Sequence, residues 1–169
     1  MVSQGSAASS LAIPNHTIFR YWSSDGVKGA AISNTMYTSG KRMVITLACN
    51  DAGNIGLQNS VGSVFSSLGG QTDAITPYAT NLSNYSSLLA GLKARILQYN
   101  TNMGANEVAG CLASFDECVD IFRQVSADPV FSTVKWYGGD GVVQSAALLA
   151  DTTAYGRVLQ KEIGINTIF

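Results

Sequence analysis

The sequence has 169 residues, 46% hydrophobic and 12% charged, with 17 glycines and a net charge of -1. That is enough chain for one domain with a sizeable core, and it carries about half the usual charged share. There is no basic run of the kind that phosphate neutralisation needs, and no apolar stretch of bilayer length, which argues against nucleic-acid partners and membrane spans.

Residues 1–16 are rich in Ser, Ala and Gly and read as an irregular segment; residues 17–169 read as a single α/β unit. The opening Met1-Val2-Ser3-Gln4-Gly5-Ser6 has neither the basic start nor the apolar centre of a signal peptide, so read alone the chain is expected to be cytoplasmic. Thr17 to Trp22 is β-rich and short. Ser23-Ser24-Asp25-Gly26 has the look of a turn and helix cap, and a helix is predicted over Val27–Thr38, closed by Ser39-Gly40.

Met43 to Cys49 is a near-continuous apolar run, the pattern of a parallel strand buried on both faces. Asn50 to Asn54 is a loop. A helix follows over 55–68, with Ile55, Val61, Val64, Phe65 and Leu68 on one face. Gly69-Gly70 ends it, and a strand is predicted over 72–78. The clearest amphipathic helix runs over 85–98, with Leu88, Leu89, Leu92, Ile96 and Tyr99 on one stripe. A strand is predicted over 107–113 and a helix over 116–127, stopped by Asp128-Pro129. Thr133 to Tyr137 is the next strand, Val142 to Leu149 the next helix, and a last helix is predicted over 152–163.

Strand then helix, repeated with short connections, is the signature of a doubly wound, mainly parallel sheet, a three-layer α/β/α sandwich. In such a fold every strand ends on one edge, where ligands bind. That edge collects Asp51 and Gly53, then Ser114 and Phe115, then Gly138-Gly139-Asp140. Helix N-termini at this edge favour anionic groups. Asp140 either caps its helix or turns its charge into the crevice and holds a cation. An edge with both features suits a zwitterion such as an amino acid. Asp51 is most simply part of a turn, and Ser114 a helix cap.

Other chemistry is poorly represented. The single histidine, His16, and three cysteines without a CxxC make no recognisable metal site, so no metal and no cofactor is expected. Cys49 and Cys111 could pair if their strands are neighbours. There is no GxGxxG, Walker sequence, GxSxG or HExxH, which leaves a small enzyme using Asp140 or Asp51 as acid or base without support.

Several segments together resemble a family. Val2 to Leu11 is similar to an I-S-x-G-S-T-x-P-x-L segment, and Phe19-Arg20 with Asp25-Gly26 to an F-R-x-x-x-x-D crossover. Asn50-Asp51 with Gly56-Leu57 is similar to N-D-x-x-G-x-G-L. Gly69-Gly70, Leu112-Ala113-Ser114-Phe115 and Trp136 to Gly141 follow in the matching order. The sequence thus resembles the second lobe of a type I periplasmic binding protein, in the branched-chain-amino-acid or receptor-family ligand-binding group. The resemblance implies a non-enzymic, extracytoplasmic protein whose two lobes close on a small solute such as an amino acid. It implies a first lobe and an ABC permease as partners, or a sensor ectodomain of the same fold.

It also implies roles for individual residues. Ser6 and Ala7 would hold a ligand carboxylate, Phe115 would cover the ligand, and Asp140 would bind its α-ammonium. Ala7 stands where many members carry a hydroxyl residue, Gly53 where an aromatic often packs, and Ser9 at the family's proline. The first two changes enlarge the site, so a ligand other than a simple branched-chain amino acid is expected.

Overall fold

The structure is a computed structural model, and it describes residues 2–3, 5–15, 17–125, 128–143 and 145–152. Four strands form the main sheet: β3 (Met43–Ala48), β4 (Gln71–Ala74), β5 (Val108–Ala113) and β6 (Lys135–Gly138). Their order is β4-β3-β5-β6 and every pairing is parallel. Two further strands, β1 (Val2–Ser3) and β2 (Phe19–Arg20), pair in parallel with each other outside that sheet. The segment expected to be irregular therefore contains a strand. The β-rich run at 17–22 narrows to two residues because Ile18, Phe19 and Tyr21 are exposed and have no sheet face to cover.

The helices α1 (Asp25–Thr38), α2 (Ala52–Ser67), α3 (Ser86–Met103) and α4 (Cys118–Val125) alternate with the strands. Side-chain alternation sorts the sheet into two faces. Met43, Ile45 and Leu47 pack with Leu92 and Ile96 of α3 and with Ile121 and Phe122 of α4. Val44 and Ala48 pack with Ile32 and Met36 of α1 and with Val61 and Phe65 of α2. The result is the three-layer α/β/α sandwich that the strand–helix order predicts.

The same alternation overturns the Cys49–Cys111 bridge. Cys49 packs in the core on the α3 side and Cys111 in the core on the α1–α2 side. Cys111 lies opposite Thr46, three positions before Cys49. Both thiols are free, as is that of Cys118, and burial pushes each of them up to about 12.

One sequence expectation fails locally. The Ala- and Leu-rich run after β6 is not one helix; it forms α5 (Asp140–Val143) and α6 (Ala146–Ala150). Between them Ser145 is extended and caps α6 through a bond from Leu148 N to its Oγ, 3.1 Å. That hydroxyl also donates to Asp116 Oδ1 at 2.8 Å. The helix predicted over 152–163 lies almost wholly outside the described residues.

Candidate ligand-binding site

From β3 the chain moves to β4 on one side, then crosses back past β3 to β5 and β6 on the other, so the strand order reverses between β3 and β5. In an open parallel sheet the crevice beyond the strands' carboxyl ends at this point is where ligands sit. A cavity of about 70 Å³ opens there. Its walls come from the loops after β3, β5 and β6, from the start of α1, and from Gly5 and Ala7 of the N-terminal segment.

That segment is fastened down by the backbone. Asp25 N donates to Ala7 O at 3.0 Å, and Arg20 Nη1 to Ala8 O at 2.6 Å. Ala7 lines the cavity. Ser6 does not line it; its amide donates to Ser3 Oγ at 3.3 Å.

After β3, Gly53 and Leu57 line the cavity but Asp51 does not. The Asp51 carboxylate caps α2, accepting from Gly53 N at 2.9 Å and Asn54 N at 3.1 Å, and also bonds the Asn54 amide side chain. The site role given to Asp51 is thereby replaced by a helix cap.

After β5, Ser114 is buried away from the cavity, whereas Phe115 lines it and is 53% exposed. Ser114 does not cap α4, which starts four residues later. The loop is fixed by Glu117, whose carboxylate accepts from Phe115 N at 3.2 Å and from the Tyr78 hydroxyl at 3.0 Å.

After β6, Asp140 is the centre of the polar wall. Its side chain faces the crevice and, among the described residues, accepts no backbone amide of α5. Lys28 Nζ donates to Asp140 Oδ1 at 2.9 Å and to Oδ2 at 3.0 Å, and Trp22 Nε1 donates to Oδ2 at 2.9 Å. The Lys28 ammonium also lies 5.8 Å over the Trp22 ring. Where the resemblance implies the ammonium of a ligand, the structure places one of the chain's own.

Sequence reasoning also missed Asp25. It opens α1, is 3% exposed, and lines the cavity. Its Oδ1 is 3.9 Å from Lys28 Nζ, and its Oδ2 has no hydrogen-bond partner among the described residues. Burial raises its pKa; Lys28 opposes the shift, while Asp140 and Asp51 add to it. A raised carboxyl favours the protonated form in the folded chain. Its stabilising effect is therefore complete below the ordinary carboxylate value, about 3.9, and is lost as pH rises through the folded value. Asp25→Asn, which cannot ionise, should gain stability on the wild type as pH climbs from about 4 to 7. Urea midpoints of both proteins across that range measure this, and a gap that does not change with pH would contradict an upward shift.

No family model matches the chain, and no curated protein matches it. Solved structures do. The leucine binding protein LivK from Thermotoga maritima aligns at 21% identity and a TM-score of 0.59, over 73% of this chain and 33% of that one. An ABC transporter substrate-binding protein from Desulfitobacterium hafniense aligns at 14% identity and 0.66, over 88% and 41%. A solute binding protein of an ABC transporter from R. palustris, solved with benzoate, aligns at 16% identity and 0.58, over 86% and 42%. At these identities the likeness is one of fold. The chain has the α/β fold of a single lobe of the type I periplasmic solute-binding proteins. It spans between a third and roughly two-fifths of the chains it matches.

No helix among the described residues is long and apolar enough to cross a membrane.

Proposed function

We propose that the chain is the second, ligand-binding lobe of an extracytoplasmic solute-binding protein that serves an ABC-type importer. A first lobe of the same protein closes over the crevice and traps a small polar solute, with amino acids and related molecules as the class to examine. The observation that carries this reading is a one-sided site. Charged and aromatic groups line a cavity at the switch point, yet the Phe115 ring is half exposed. A ring in that position has half its contacts still to make. The fold of the matched solute-binding proteins supports the same role.

A non-enzymic role fits the groups present. The three thiols sit at about 12, far from the thiolate form at neutral pH. Asp140 is held in an ion pair, Asp51 in a cap.

Calorimetry of the full-length protein against amino acids, amides and small carboxylates tests the proposal. A saturable one-to-one heat with one class is expected. This chain by itself should bind the same solute far more weakly, because half the contacts are gone while the cost of association stays. No binding across the panel by the full-length protein would overturn the reading.

A further inference from the structure

We propose that Lys28 is an internal substitute for a ligand ammonium, so that the crevice selects small carboxylates without an amine over the matching amino acids. This rests on the solute-binding role proposed above and narrows its substrate class.

The argument starts from the capacity of Asp140. A carboxylate accepts in a small number of lone-pair directions. Three are taken by the chain: two by Lys28 Nζ at 2.9 and 3.0 Å, and one by Trp22 Nε1 at 2.9 Å. The charge is matched as well, since one ammonium neutralises one carboxylate. A ligand ammonium entering here would have to displace Lys28 or lie beside it as a like charge. Lys28 has little room to leave. Its side chain is 13% exposed, held between Asp140, the Trp22 face and Asp25 Oδ1.

What is left open in the cavity suits a different head group. The N-terminus of α1 reaches it through Asp25, whereas the Gly53 and Asn54 amides of α2 that border it are already taken by the Asp51 cap. The α1 dipole favours an anion. Asp25 lines the same space on a side chain more than nine-tenths buried, with its Oδ2 turned against Gly56 of α2. Burial disposes the Asp25 carboxyl to hold a proton, which lessens the negative charge that a solute carboxylate meets here. Phe115 and Leu57 offer apolar surface to the body of the solute.

The test uses the full-length protein and pairs of solutes that differ in the amine, such as leucine against 2-hydroxy-4-methylpentanoate and phenylalanine against 3-phenylpropanoate. Titration calorimetry should give the amine-free member at least tenfold tighter binding. In Lys28→Met the Asp140 carboxylate loses its internal cation, and the preference should move toward the amino acid by at least tenfold. Lys28→Arg, which keeps a cation, should retain the wild-type preference, and circular dichroism melts establish that both variants are folded. Tighter binding of the amino acids by the wild type, or an unchanged preference in folded Lys28→Met, would overturn the inference while leaving solute binding intact. Binding of neither member of any pair would overturn both.

Discussion

Trp136→Ala is expected to lower the free energy of unfolding by about 3–5 kcal/mol, the range for removing a large aromatic from a packed core. Trp136 is 1% exposed in the middle of β6. Its ring meets that of Phe122 edge-on, with centroids 6.2 Å apart, and its Nε1 donates to Phe131 O at 2.9 Å. Truncation opens a cavity and leaves that carbonyl without its donor, and the two costs add in the same direction. The backbone is adapted to this ring. A Cβ on Gly110 of the neighbouring β5 would lie 2.8 Å from it, so glycine is what lets the indole cover the strand. Chemical denaturation followed by circular dichroism measures the loss. Domains of this size are stable by about 5–15 kcal/mol, so the variant should sit close to the margin. A loss under about 1 kcal/mol, the size of an ordinary point mutation, would contradict the packing described.

Gly141→Ala is expected to damage stability and the crevice together. The new Cβ would stand 2.4 Å from Ser114 O and 3.0 Å from the Phe115 ring. Ser114 O is backbone and cannot rotate away, so either the β5–α4 loop or the turn at the start of α5 must move. Overpacking of this kind costs about 1–3 kcal/mol. The moving loops carry Phe115 and Asp140, which are on two walls of the cavity. A melt shows the first effect, and loss of solute affinity in the full-length protein shows the second. Full affinity in a folded Gly141→Ala protein would mean that the two loops do not need this close approach.

How much of this was legible in the sequence depends on how local its cause is. The strands at 43–48 and 108–113 were plain because burial on both faces demands an unbroken apolar run. The stripe of Leu89, Leu92 and Ile96 announced α3, and those side chains are buried in it. The helix after β6 was misread because its break is not local. Ala- and Leu-rich sequence favours a continuous helix, and it is Ser145, bonded to Asp116 on another loop, that interrupts it.

The candidate site divides in the same way. Gly53, Phe115 and Asp140 were placed at the ligand edge because strand ends in a parallel sheet share it, and Ala7 by the family resemblance; all four line the cavity. Asp51 was misplaced because a carboxylate before a helix caps or binds, and only the bonds from Gly53 and Asn54 decide between them. Asp25 read as a cap, and its burial depends on Gly56, whose Cβ would stand 2.6 Å from Asp25 Oδ2. Lys28 gave no signal at all, since no periodicity connects it to a partner 112 positions away.

That distance has a kinetic meaning. By polymer statistics, closing a loop of 112 residues costs about 3 kcal/mol more chain entropy than a contact within one helical turn. The Lys28–Asp140 pair cannot repay that at the outset, so its ends must be brought together by strands and helices that have already formed. The crevice is therefore a late product of folding, assembled from the chain's first helix and its last described strand–helix turn. Its ability to hold a solute reports on the completion of the whole lobe, not on any one loop.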